Sequence, residues 1–194
     1  MFKTVNQGTY PTRGSKFSAY VDIFSNEDVT IGAGETKMIP LGIAIDLEFI
    51  KSSILKLQDC TAYRLNTSGQ HSLVYSYRDI SKEEAISAKY ENFMSTHYLQ
   101  LAIRSSLGKK GLILPNGIGV IDLDFDKEIQ MIIHNPVTLK SIVKYLLSFG
   151  KHKSKWNLKT GWKIGQITLL EHKSNLFNIE SDKVRTDGFG STGK

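Results

Sequence analysis

Apolar and polar positions alternate in short runs along most of the chain. The clearest are Asp28 to Ile31, Lys37 to Leu47, Leu112 to Leu114, Ile129 to Ile133 and Ile164 to Leu170, each bounded by Gly, Asn, Asp or Pro. A period of two places successive side chains on opposite faces of a strand, so these runs predict one strand after another, separated by turns. Many short strands without a fixed-period repeat predict an all-β sandwich or barrel. Around Lys159-Thr160-Gly161, basic residues interleave with Trp156, Leu158 and Ile164. That pattern predicts a half-buried hairpin with a solvated lysine face in preference to a nucleic-acid strip.

Two stretches change period. From Ser81, a capping box with Glu84 precedes Ile86, Tyr90, Phe93 and Met94 at helical spacing. A second helix is predicted after Asn135-Pro136, with Asn as N-cap, Pro as first residue, a stripe of Leu139, Ile142, Val143, Leu146 and Leu147, and Gly150 as the stop. Both stripes are expected to pack on the barrel. The tail from Gly188 to Lys194 is rich in Gly, Ser and Thr, and is expected to order only when it binds something.

Composition narrows the class. The chain has 194 residues, 40% of them apolar and 23% charged, which fits one well-cored domain. No run approaches the length of a membrane span, the N-terminus lacks the apolar core of a secretory signal, and Cys60 is the single cysteine. A cytoplasmic protein without membrane attachment is expected. A net charge of +6 favours anionic partners, nucleotides among them, while no motif points to specific nucleic-acid binding.

Several local patterns resemble chemistry and fail on inspection. Asp122, Asp124 and Asp126 imitate the start of a calcium loop, but Lys127 stands where the turn needs Gly and Ile133 where it needs Glu. The tail fits most of a Walker A pattern, yet no Ser/Thr and helix follow Lys194. The five histidines show no paired ligand spacing. What remains suits a polyphosphate. Arg104-Ser105-Ser106 offers a guanidinium fork and two hydroxyls, the small residues of the tail offer backbone N–H groups, and Arg185 lies just upstream. Between them, Asn116 to Phe125 forms a glycine-bearing hairpin that brings backbone close to a flat ligand and sets a carboxylate beside it.

In order and spacing these pieces resemble the trimeric dUTP pyrophosphatase (dUTPase) family. The first motif is Pro11-Thr-Arg-Gly-Ser15 with Ala19-Tyr-Val-Asp22-Ile-Phe-Ser25; the second is Arg104-Ser-Ser-Leu107; the third is Gly119-Val-Ile-Asp-Leu-Asp-Phe125. The fourth is Gly161-Trp-Lys-Ile-Gly-Gln-Ile167, with Lys163 in place of the family's arginine, and the fifth is Gly188-Phe-Gly-Ser-Thr-Gly193. The resemblance implies a distorted jelly-roll barrel over residues 1–182 with a flexible C-terminal arm, 183–194, that closes the site. It implies a homotrimer with shared active sites that hydrolyses dUTP to dUMP and pyrophosphate with Mg2+, lowering dUTP and supplying dUMP for thymidylate synthesis.

By the same resemblance Asp122 is the general base that activates the attacking water. Asn116, Gly119 and Ile121 lie in the backbone element that reads uracil, and Phe125 crowds the 2′ position of the sugar. Arg104, Ser105, Ser106 and Gln166 hold the phosphates, while Asp22 reaches the magnesium through water. Phe189 stacks on the base, and Arg185, Gly190, Ser191 and Thr192 close over the terminal phosphate.

Two insertions, at about 49–98 and 136–150, have no counterpart function in the family. The first is long enough for a hairpin, Cys60 to Asn66 with His71 to Asp79, plus the helix from Ser81, and is the expected seat of any regulatory protein partner. Two rival readings remain. A dCTP deaminase shares the fold and an RSSL motif, but its glutamate base belongs directly before Asn135, where this chain has His134, and that group lacks the fifth motif. The other rival is a binding protein of the same fold acting through its insertion.

Overall fold

The computed structural model describes residues 1–61, 82–150 and 154–177. Strands β1 (Phe2–Thr4), β2 (Thr12–Arg13), β3 (Val21–Phe24), β4 (Val29–Gly32), β5 (Thr36–Pro40) and β6 (Ile43–Ile45) precede helix α1 (Leu47–Thr61). Helix α2 (Lys82–Thr96) leads into β7 (His97–Ile103), the short α3 (Ser105–Gly108), β8 (Gly119–Asp122) and β9 (Gln130–His134). Helix α4 (Leu139–Leu147), β10 (Lys155–Leu158) and β11 (Lys163–Glu171) follow. The pairings are antiparallel. One five-stranded sheet runs β2-β3-β11-β7-β8, and β1-β6, β4-β10 and β5-β9 form pairs around it.

The alternation in the sequence becomes alternation in burial. Met131 and Ile133 of β9 turn inward, as do Gly119 and Ile121 of β8, while Val120 and Asp122 face out. Ile121, Met131 and Ile133 join Ile23, Ile39, Ile43, Leu99, Leu101, Ile164 and Ile167 in one continuous core. Fully burying each such aliphatic side chain is worth about 1.5–3 kcal/mol. The run from Lys37 to Leu47 divides in two at Gly42, whose φ of +65° suits glycine. Gly8 presses on this bend so closely that a Cβ there would lie 2.1 Å from the Gly42 carbonyl oxygen. The chain therefore turns, giving β5 to β9 and β6 to β1.

Four sequence expectations need correction. Leu112 to Leu114 makes only an isolated bridge, Ile113 to His134, because the chain curves from α3 into the next turn. The Lys159 to Gly161 turn exists, closed by a Trp162 N–H to Lys159 carbonyl bond of 3.0 Å, but its flanks part: β10 pairs with β4 and β11 with β3 and β7. Its lysines are not simply solvated. Lys159 donates to Asp28 at 2.6 Å, which with the Thr160 N–H holds that carboxyl down to about 2, and Lys163 turns to Asp22.

The third and fourth corrections concern the insertions. The first begins with a 15-residue helix, α1, that runs through Cys60 in place of a strand; the remainder of the expected hairpin, and Ser81 of the capping box, lie outside the described residues. In α2, Tyr90, Phe93 and Met94 do pack against the core, as their spacing predicts. Helix α4 does not start at Asn135. Its N-cap is Thr138, in a reciprocal capping box with Ser141, while Asn135 is buried and donates to the Ile31 carbonyl. The α4 stripe is exposed, not packed: Leu139 and Leu147 are each 77% exposed.

Candidate active site

A bulge in β11 gathers the polar groups. Lys163 pairs with Phe24 and Gly165 with Ile23, so Ile164 is an extra residue on that strand. In a regular strand, residues three apart face opposite sides. Here Lys163 and Gln166 oppose Phe24 and Asp22, which are two apart, and so both project on the Asp22 face. Gly165 is required at the bend, because a Cβ would meet Met131 Sδ at 2.8 Å and Ile23 Cδ1 at 2.9 Å. Gln166 is also in register with Ala102 of β7, and Arg104 follows two residues on, in extended backbone, with its N–H on the Ile164 carbonyl at 3.2 Å.

Asp22 is the hub of this end of the sheet. Its Oδ1 lies 3.2 Å from Arg104 Nη1 and its Oδ2 accepts from Lys163 Nζ at 2.9 Å, with the Asp22 side chain only 12% exposed against 31% and 45% for the two cations. One carboxylate with two cations leaves the cluster with one excess positive charge, open to solvent on the cationic side. Beside it, α3 presents the exposed Ser105 and Ser106, held by the buried Leu107 and by Leu107 and Gly108 N–H bonds to the Arg104 carbonyl. The arrangement suits an anion with several oxygens. Among the described residues no three His, Cys, Asp or Glu side chains come together as a metal cage.

The second group of predicted residues lies along β8. Asn116 sits in a tight turn, with Gly117 at φ +72° and the Ile118 N–H donating to the Asn116 carbonyl at 2.8 Å. Gly119 lies against Leu101, where a Cβ would meet Leu101 Cβ at 3.1 Å. The Ile121 side chain is buried in the core, so only its backbone is available to a ligand. Asp122 is exposed at the strand end, and the Phe125 N–H bonds back to the Asp122 carbonyl at 3.1 Å, turning the half-buried Phe125 ring in behind it.

Within one chain Asp122 does not reach the Asp22 cluster, although Gly119, at the other end of β8, pairs with Leu101 only three residues before Arg104. Asp122 is in register with Tyr98 on β7, and Arg104 lies six residues further along the same strand direction. At about 3.3 Å per residue their backbones stand roughly 20 Å apart, more than two side chains span. The predicted arm residues Arg185, Phe189, Gly190, Ser191 and Thr192 lie outside the described residues.

Sequence reasoning missed two features. Lys163 figured as a substitution in the fourth motif and as part of a solvated lysine face, although it shares Asp22 with Arg104 and lies 5.9 Å from the centre of the Phe24 ring. Tyr20, two residues before Asp22, accepts from Gln100 Nε2 at 2.9 Å, and Gln100 in turn accepts from the Tyr98 hydroxyl. Motif spacing carries no signal of either contact, since both cross strands far apart in sequence.

No protein-family profile and no curated protein matches the sequence. Solved structures do match. The chain is similar to a dUTPase from Streptococcus mutans at 18% identity and a TM-score of 0.50, over 89% of this chain and 95% of that one. The Staphylococcus bacteriophage 80alpha dUTPase matches at 15% identity and 0.54, over 97% of each chain. The dUTPase from phage phi11 of S. aureus, described with a species-specific insert, matches at 16% and 0.53, over 98% of this chain and 97% of that one. A mutant of the phi11 enzyme coordinates a structural Mg(II) ion. At these identities the likeness is one of architecture, and this chain has the dUTPase jelly-roll fold.

Proposed function

We propose that the protein hydrolyses dUTP to dUMP and pyrophosphate at sites shared between the chains of a homotrimer. The observation that carries this reading is the division of the motif residues on the dUTPase fold. Phosphate-binding groups collect around Asp22 at one end of the sheet, while Asp122 stands about 20 Å away on the same sheet. Separate half-sites of this kind become complete sites when a ring of copies brings one end of a neighbour against the other end of the first.

In such a site Arg104, Ser105, Ser106 and Gln166 hold the phosphate chain and stabilise the charge that grows on it. Asp122 of a neighbouring chain accepts a proton from the water that attacks the α-phosphorus, with pyrophosphate leaving. The backbone around Asn116, Gly119 and Ile121 reads the uracil edge by fixed donors and acceptors. The arm, 183–194, stacks Phe189 on the base and wraps the terminal phosphate with Arg185, Gly190, Ser191 and Thr192. Asp22 would hold an Mg2+ through water, and that ion, when bound, would neutralise triphosphate charge.

Pyrophosphate release from dUTP with Mg2+ tests the reading directly. Ammonia release from dCTP in its place would assign the chain to the deaminase reaction. The geometry favours the former, since His134, at the position of the deaminase base, is tied through Nδ1 to Thr36 Oγ1 at 2.9 Å.

Two further outcomes follow from the site. Phe125→Ala removes the ring beside the sugar and lowers the dUTP/UTP selectivity by about tenfold or more, because a wall rejects the extra hydroxyl by shape. Unchanged selectivity in competition assays would place the guard elsewhere. Lys163→Met leaves Asp22 to Arg104 alone and ties the guanidinium more firmly to the carboxylate, so KM for dUTP rises by about tenfold while kcat moves less. Lys163→Arg restores KM. A Lys163→Met enzyme with wild-type KM would remove that residue from phosphate binding.

A further inference from the structure

Asp22 lies where β3 has little backbone support. The ladder from β3 to β11 ends with Val21 opposite Ile167, and the ladder to the two-residue β2 ends at Val21 as well. Beyond Ile167, β11 runs on to Glu171 beside β7 alone among the described strands. Side chains take over where the backbone pairing stops. Thr168 Oγ1 donates to the Ala19 carbonyl at 2.9 Å, and Gln100 Nε2 reaches across β11 to donate to the Tyr20 hydroxyl at 2.9 Å. Gln100 is itself held from the other side, since its Oε1 accepts from the Tyr98 hydroxyl at 3.0 Å.

The register sets this chain of bonds between two carboxylates. Gln100 is opposite Thr168 on β11 and Val120 on β8, and Tyr98 is opposite Asp122, so these side chains share the outer face with Gln166 and Asp22. Glutamine suits the middle place, because one planar amide offers an acceptor to the first tyrosine and a donor to the second. The segment that it anchors lies against Asp22. A Cβ on Gly14 would stand 3.9 Å from Asp22 Oδ2, and the Ser15 N–H donates to Ser18 Oγ at 2.9 Å to close the loop between. We propose that Tyr20 and Gln100 are positioning residues: with Thr168 they clamp the start of β3 and the 14–18 loop to the sheet, and so hold the Asp22 carboxylate between Arg104 and Lys163. Both act through Asp22, with Tyr98 as the outer anchor.

The clamp rests on the reading of the Asp22 cluster as the phosphate end of a dUTP site, and two measurements keep their failures apart. Amide hydrogen exchange on the full chain reads the clamp with no ligand present. In Tyr20→Phe and in Gln100→Leu, exchange over residues 14–22 rises by about tenfold, while β9 and the Tm stay at wild-type values. Calorimetric titration with inorganic tripolyphosphate and Mg2+ reads the consequence at the site. Its Kd rises about fivefold in each variant and no further in the double variant, because both changes remove the same bond. Adding Thr168→Val to Tyr20→Phe frees the second anchor and weakens tripolyphosphate further. With dUTP, KM rises by the same factor and kcat stays within about twofold. A chain that shows the exchange and tripolyphosphate effects but releases no pyrophosphate supports the clamp and sinks the dUTP reading. The clamp is overturned if neither variant changes exchange over 14–22, if tripolyphosphate affinity is untouched, if the two changes add, or if kcat falls while KM holds. A lower sedimenting mass for Tyr20→Phe also overturns it, since that assigns the tyrosine to contacts between subunits.

Discussion

Asp122→Asn removes turnover and leaves dUTP binding within about tenfold of wild type, a change of at most about 1.4 kcal/mol. Asparagine keeps the size and hydrogen-bonding reach of the carboxylate but cannot accept the proton of the attacking water. The fold tolerates the exchange, because Asp122 is an exposed strand-end residue and its carbonyl, which asparagine keeps, accepts from the Phe125 N–H. Pyrophosphate release gives the rate, and calorimetric titration with a non-hydrolysable imido analogue of dUTP gives the affinity. Turnover within a few fold of wild type would take Asp122 out of the mechanism.

The second large effect is a recovery. Truncation after Asp182 removes Phe189 and the phosphate wrap but keeps every described strand, so on its own it is inactive with an almost unchanged Tm. Co-expressing it with the Asp122→Asn chain mixes two inactive proteins. A shared site works when Asp122 comes from a truncated chain and the arm from a full-length one. With random assembly at equal expression, about one quarter of sites meet both conditions. The gap of about 20 Å between Asp122 and the Asp22 cluster motivates the shared site, since no single chain closes it. Mixed trimers verified by mass that stay as inactive as their parents would refute the architecture.

How far the sequence disclosed this molecule depends on what each signal reports. Alternation located β4, β9 and β11 to within about two residues, because a strand with one face in the core must alternate. The resemblance named Arg104 and Gln166 as phosphate ligands and Asp22 as the carboxylate beside the magnesium, and the structure brings the three to one end of the sheet. The contact of Lys163 with Asp22 was not legible because the bulge at Ile164 shifts the lysine to the Asp22 face, and a bulge leaves consecutive buried residues that alternation cannot distinguish from an ordinary core strand. The expected hairpin at Lys159 failed for a related reason: turn residues show that the chain reverses and not which strand it joins. In α4, periodicity defined the stripe, but a stripe is silent about what covers it, and there the barrel leaves it bare.

The position of β11 has a consequence for biosynthesis. It is the last strand among the described residues and the middle strand of the five-stranded sheet, lying between β3 and β7, and the Lys163 to Asp22 contact joins residues 141 apart. On the ribosome, β3 and β7 emerge long before the segment that separates them, and until it arrives both present unpaired edges to the nascent chain and its neighbours. The sheet closes only once β11 has been made, so termination before Glu171 is expected to yield aggregating material, whereas chains that stop just beyond it have every described strand.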